Sequence, residues 1–143
     1  MTMHVTKRDG TSQDFDLEKV HKVLEWAVKD ISGVSISEIE IKANIQLYDK
    51  IPAYDIHELL IKSAAELISE HTPNYQFVAA RLISYKLRKE VYGQYTPHSL
   101  VEVVIDNIDR KVYDGAIMQD YTREELLELD AYIKHDRDDS FTY

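Results

Sequence analysis

The sequence predicts a mainly α-helical fold that opens with a small N-terminal β-hairpin, and three observations carry that prediction. Apolar residues recur at three- and four-residue spacing along most of the chain, the signature of helices with one buried face. Only 4 glycines and 3 prolines interrupt the 143 residues, far too few for a loop-rich or disordered chain. An Asp9-Gly10 pair near the N-terminus is flanked by short segments able to form strands, the pattern of a tight hairpin turn. With 44% apolar residues, a chain of this size can bury one real core.

The elements follow in order. Residues 3–8 lead into Asp9-Gly10, and Gln13-Asp14-Phe15 return as the second strand. A hairpin alone is marginal, so it must pack on helices. Asp16 suits an N-cap, and Leu17, Val20, Leu24, Ala27, Val28 and Ile31 then keep helical spacing until Gly33. Ser35 with Glu38 reads as a capping box for a second helix reaching to about Tyr48. Pro52 suits the first turn of a third helix carrying Ile56, Leu59, Leu60, Ala64, Leu67 and Ile68. Thr72-Pro73 separates it from a fourth, with Tyr75, Val78, Ala79, Leu82, Tyr85 and Leu87, which stops near Gly93. Tyr95-Thr96-Pro97 is the candidate internal boundary, giving segments 1–95 and 96–143. Beyond it, one helix is expected near 98–109 and another after Thr122, where Glu125 completes a second capping box. The C-terminal residues run out without a helix stop or a turn, so the segment is expected to continue into a further domain.

Composition excludes several functions. There is no cysteine, hence no disulfide, zinc-thiolate site, iron–sulfur cluster or thiyl chemistry in this polypeptide. No apolar run approaches a membrane span and the N-terminus lacks a signal sequence, so a cytoplasmic setting without membrane contact is expected. The net charge of −9 argues against nucleic acid as partner. That charge is uneven: residues 1–95 hold 12 Lys and Arg against 14 Asp and Glu, whereas 96–143 hold 5 against 12. His57-Glu58 lacks the second histidine of a zinc-protease helix, since Ile61 stands four residues on. The acidic cluster around His135 has no second ligating segment, so no protein metal site is expected, and no nucleophile elbow or Gly-rich phosphate loop occurs. No catalytic residue is assigned.

The basic residues are better placed. On a helix, Arg81, Tyr85, Arg88 and Lys89 fall within one arc, offering cations around an aromatic ring, and Lys7 and Arg8 can close over the other side. Helix N-termini near Asp16 and Pro52 add backbone N–H donors for phosphate. Spacing alone also allows Tyr85 to be a core aromatic and His57 a helix-surface histidine.

Five strings add to this reading: Val5-Thr6-Lys7-Arg8-Asp9-Gly10, Phe15-Asp16-x-x-Lys19, Asp55-Ile56-His57, Tyr75-x-x-x-Ala79-Ala80-Arg81 and Leu87-Arg88-Lys89-x-x-Tyr92-Gly93-Gln94. In this order and spacing they resemble the ATP-cone at the N-terminus of class I ribonucleotide reductase large subunits. The resemblance continues through Tyr113-Asp114, Tyr121-Thr122-x-Glu124-Glu125 and His135-Asp136-Arg137-Asp138-x-x-Phe141-Thr142-Tyr143, which looks like the lead-in to the catalytic barrel. It implies a hairpin capping a four-helix ATP-cone over 1–95, followed over 96–143 by a helical lead-in to a barrel that this chain lacks. It further implies an allosteric domain that binds ATP or dATP, with Mg accompanying the nucleotide and no redox cofactor in this chain. The implied role is control of a ribonucleoside-diphosphate reductase in deoxyribonucleotide synthesis. The implied partners are the catalytic remainder of the large subunit, a radical-generating small subunit and a second copy in a homo-oligomer.

Residue by residue, the resemblance puts Lys7, Arg8, Lys19 and Lys89 toward phosphate and Ile56 and His57 beside base and sugar. Val5, Phe15, Val20 and Tyr85 take wall positions. Gln13 stands where Glu is common, Asp16 where Asn is, Ala53 where Thr is, and Lys86 where His occurs in close relatives. Two other readings compete. One is a degenerate cone serving mainly as a subunit-docking module without useful nucleotide affinity. The other, a nucleotide-binding transcriptional repressor, conflicts with the missing zinc-ribbon cysteines and basic DNA-reading segment.

Overall fold

The computed structural model describes residues 2–143. Strands β1 (His4–Thr6) and β2 (Ser12–Asp14) form the expected antiparallel hairpin, pairing His4 with Asp14, Val5 with Gln13 and Thr6 with Ser12. Its turn is built by local chemistry. Gly10 takes φ +83°, a conformation that a side chain would strain. The Asp9 carboxylate accepts from the Thr11 backbone N–H at 2.9 Å and from its hydroxyl at 2.6 Å. Those bonds hold the Asp9 carboxyl below the usual carboxylate range.

Four helices follow: α1 (Leu17–Val28), α2 (Ile36–Asn44), α3 (Ala53–Glu66) and α4 (Tyr75–Tyr92). Each packs an alanine into the shared core, Ala27, Ala43, Ala64 and Ala79, among Leu24, Ile39, Leu60, Val78 and Leu82. Small side chains let helix axes approach closely while the larger ones fill the space between them. Asp16 caps α1 by accepting from Glu18 N–H at 3.0 Å, and Gly93 stops α4 at φ +72°, both as the sequence predicts.

Three local readings are corrected. First, α1 ends at Val28 instead of continuing to Ile31. Asp30 turns the chain at φ +60°, and the Arg81 guanidinium donates to the carbonyls of Ala27 (3.3 Å) and Lys29 (2.7 Å). Second, the Ser35–Glu38 capping box does not form, because the Tyr75 hydroxyl stands in its place. It accepts from Ser35 N–H at 2.9 Å and donates to Glu38 Oε2 at 2.7 Å. Third, α2 stops at Asn44, and residues 45–50 turn the chain into a third strand, β3 (Ile51–Pro52), that runs parallel to β1. Pro52 accordingly closes that strand as the N-cap of α3 and does not lie within its first turn.

The chain divides into two units inside α4, one holding the residues up to Lys86 with Asp138–Tyr143, the other Leu87–Arg137. The second unit contains α5 (Leu100–Asp109), α6 (Ala116–Asp120) and α7 (Arg123–Asp130) around Val101, Val104 and Leu126. The predicted Thr122–Glu125 capping box is present, and a second, Ser99–Glu102, starts α5. Helix α6 had no signal in the pattern because it is only 5 residues long. Among the described residues no helix is long and apolar enough to cross a membrane.

Tyr75 is 1% exposed, so Tyr75→Phe leaves a helix-start N–H and a carboxylate without their shared partner. The expected loss is about 1–3 kcal/mol of stability, measured by denaturant unfolding. His21 on α1 is a second link, with Nδ1 2.8 Å from Glu40 Oε1 on α2 and Nε2 3.4 Å from Glu25 Oε1. The Glu40 hydrogen bond leads in raising the His21 pKa above its ordinary 6.5. A raised folded-state pKa gives stability that is fully present below 6.5 and lost as pH rises through the folded value. The melting-temperature gap between the parent and His21→Gln should therefore be widest below pH 6.5 and narrow as pH rises above it.

Candidate functional site

The sheet gathers the N-terminal part of the site. Val5 on β1 lies across from Gln13 on one side and from Ile51, which is fully buried, on the other. Neighbours in register share a face of the sheet, so half-buried Val5 and Gln13 look inward with Ile51. Thr6 pairs with Pro52, and α3 begins at the next residue, Ala53. The hairpin is thereby tied to the start of α3. Further bonds hold the same junction: Lys50 N–H donates to His4 O at 2.9 Å, Thr6 Oγ1 donates to Lys50 O at 2.9 Å, and His4 N–H donates to Asp49 Oδ1 at 2.8 Å.

Lys7 and Arg8 are exposed in the turn between β1 and β2. Their neighbour Asp9 is engaged by Thr11, which fixes the turn that presents them. Phe15 is half-buried and its N–H donates to Met3 O at 2.8 Å, extending the hairpin to the cap of α1. Asp16 and Lys19 are exposed at the first turn of α1, and Val20, one turn on, packs against the helical core. The two helix starts differ chemically. At α1 the Asp16 carboxylate takes up a backbone donor and adds negative charge. At α3 no side chain caps the helix, and Ala53 holds its first position.

The helical part of the site is an aromatic stack. The Tyr85 ring on α4 lies 5.5 Å, centroid to centroid, from the His57 ring on α3 and 5.8 Å from Trp26 on α1, tilted against both. Rings at this separation and tilt attract beyond their area of contact. Ile56, beside His57, packs against the core. His57 is therefore neither isolated nor purely a surface residue; it forms the edge of a three-ring cluster. Lys86 pairs with Glu58 and lies with Nζ 4.1 Å from the centroid of Tyr54. Lys89 is half-buried in the last turn of α4 and belongs to the second unit.

The arc of cations expected on α4 is broken up by partners. Arg81 caps the end of α1. Arg88 donates to the carbonyl of His135 at 3.2 Å and lies 4.8 Å from the Tyr95 ring, within the second unit. Neither guanidinium continues the surface that helical spacing alone suggested. Conversely, sequence reasoning missed Trp26, Tyr54 and Glu58. Trp26 had a signal, since it stands one turn after Val23 and Lys22 on the helix that carries Lys19. Tyr54 and Glu58 had another: they sit at i and i+4 on the helix of His57.

Two comparisons bear on this arrangement. The family model described as the ATP cone domain matches residues 3–90. Ribonucleoside-diphosphate reductase 1 subunit alpha of Escherichia coli (strain K12) is 47% identical over 139 residues, 97% of this chain and 18% of that protein. The alpha subunits of Haemophilus influenzae and of Enterobacteria phage T4 are 44% and 41% identical, each over 99% of this chain and 19% of theirs. The match lies in the N-terminal region of those subunits, and the chain spans about a fifth of their length. A hairpin and four helices, with the family model running from β1 to the last turns of α4, agree with one assignment: this chain belongs to the ATP cone domain family.

Proposed function

We propose that this chain is a regulatory domain that binds ATP or dATP and sets the overall activity of a ribonucleoside-diphosphate reductase large subunit. The observation that carries this reading is the junction of β1 with β3. It joins the exposed Lys7–Arg8 turn to the uncapped start of α3, one turn from the His57–Tyr85 stack. Cations and open backbone donors suit phosphates, and a tilted ring pair suits one face of a purine. The family resemblance adds Lys19 and Lys89 as further phosphate contacts and Val5, Gln13, Phe15, Asp16, Val20, Ala53, Ile56 and Lys86 as the remaining surroundings of the ligand.

Mg would accompany the triphosphate. The catalytic remainder of a large subunit and a radical-generating small subunit are the proposed partners, together with a second copy of the chain. Cysteine-dependent ribose reduction would belong to that remainder, because this chain has no cysteine. Since ATP and dATP differ by one hydroxyl, any switch between them requires different contacts in two states, not tight binding alone.

A second reading has its own observation. Ile41 and Ile45 stand one turn apart at α2 and its cap, 62% and 80% exposed. Large apolar side chains grouped in this way suit a docking surface for another subunit. In its strong form, a cone that only docks, this reading requires that nucleotide affinity be lost.

Calorimetric titration separates the two. The proposed function expects heat of binding with ATP below millimolar concentration and no turnover of ribonucleotides by the chain itself; no heat at millimolar ATP leaves only the docking reading. Removing one cation of a charge-assisted phosphate contact should cost about 1.5–3 kcal/mol, so Arg8→Ala and Lys89→Ala should each weaken ATP by about tenfold or more. Unchanged affinity in both would place the anion elsewhere. Ala53 offers no hydroxyl and Gln13 no charge toward the sugar. ATP and dATP should accordingly differ by about fivefold in the isolated domain, and parallel titrations giving a preference of about 100-fold would contradict this.

A further inference from the structure

One cation beside the proposed site is held by acidic and aromatic partners of its own. The Lys86 side chain is 15% exposed, its ammonium pairs with the Glu58 carboxylate, and it lies 4.1 Å from the Tyr54 ring centroid. Tyr54 and Glu58 are i and i+4 on α3, with His57 next to Glu58. On α4, Lys86 directly follows Tyr85, whose ring packs on His57. The ammonium therefore sits at the first turns of α3, where that helix starts without a side-chain cap. The Glu58 hydrogen bond leads in pushing the Lys86 pKa up, so the group stays charged. Glu58 is half exposed at 49%. It is a partner in contact with water, on which a competing anion can act. Lysine carries a compact charge on a flexible stem and turns to the anion that holds it best. With Glu58 in place, the pair adds nearly no net charge to the site; without it, the same side chain adds a full cation.

We propose that Glu58 is a positioning residue of the nucleotide site: with Tyr54 it holds the Lys86 ammonium against α3 and off the phosphates of a bound nucleotide. The site then binds with one cation fewer than its sequence offers. This inference rests on the reading of the site as one for adenine nucleotides, and it makes Lys86 a strut between α3 and α4 instead of a phosphate ligand. It also sets the sense of each substitution. Loss of Glu58 should strengthen binding, and the gain should grow with the number of phosphates.

The test is calorimetric titration of the full chain with ATP and with AMP, in the parent, Glu58→Gln, Glu58→Asp, Lys86→Met and the double variant Glu58→Gln/Lys86→Met. Glu58→Gln should tighten ATP by about tenfold and AMP by about threefold or less, with a steeper salt dependence for ATP. Glu58→Asp should keep the parent ratio of ATP to AMP affinity. Lys86→Met alone leaves the Glu58 carboxylate without its cation and should weaken ATP, whereas in the Glu58→Gln background it should cancel the gain and return ATP affinity to within about threefold of the parent, as coupled neighbours require. A purely structural role for Glu58 would not raise the ATP-to-AMP ratio. An unchanged or lower ratio in Glu58→Gln, or a loss of about tenfold in ATP affinity in the double variant relative to the parent, overturns the proposal. Should Glu58→Gln fail to give a cooperative melt, the double variant decides. Absence of ATP binding in the parent and every variant overturns both readings, whereas parent binding with an unmoved ratio overturns the Glu58 proposal alone.

Discussion

The parallel pairing of β1 with the two residues Ile51–Pro52 is the constraint on which the site depends. A hairpin of two three-residue strands has too little ladder and too little apolar surface to hold a position by itself. The pairing anchors it by placing Val5 beside fully buried Ile51, so that the hairpin's inner face becomes part of a sheet that α3 continues. Proline is tolerated there because β3 ends at Pro52 and lies at the edge of the sheet, where a missing N–H costs least. Without this link the Lys7–Arg8 turn would have no fixed relation to His57.

The helices were legible because their apolar residues repeat with helical period and their ends carry local chemistry, as Asp16, Thr122 and Gly93 show. What could not be read was decided by residues distant in sequence. The Ser35–Glu38 pattern is that of a capping box, yet the hydroxyl that satisfies both groups comes from Tyr75, 40 residues from Ser35. Strand β3 is too short to show a period of two. For the site, the motif strings supplied the residue types, while the aromatic partners of Tyr85 emerged only from the packing of α1, α3 and α4. The periodic arc on α4 misled for the same reason. A helical wheel shows which side chains share a face, and it says nothing of the neighbouring carbonyls that claim Arg81 and Arg88.

Charge follows a similar rule. A net −9 describes the repulsion a long polyanion meets at a distance. It does not describe the few ångströms around a small anion, where an individual cation and its partner decide the potential. Asp9 shows this at the hairpin, since its carboxylate is committed to Thr11 and so fixes the turn beside two cations. Most of the surplus of acid lies beyond residue 95, and the proposed site draws its chemistry from the more evenly balanced part of the chain.

Trp26 is the only tryptophan in the chain, and it belongs to the same ring cluster as His57 and Tyr85. An indole responds optically to the polarity and motion of what surrounds it. Because the Tyr85 ring touches both of the others, a displacement on the His57 side reaches the indole through one intermediate ring. The protein thus carries a single native emission reporter, seated on α1 behind the proposed ligand position, and its signal is undiluted by any other tryptophan.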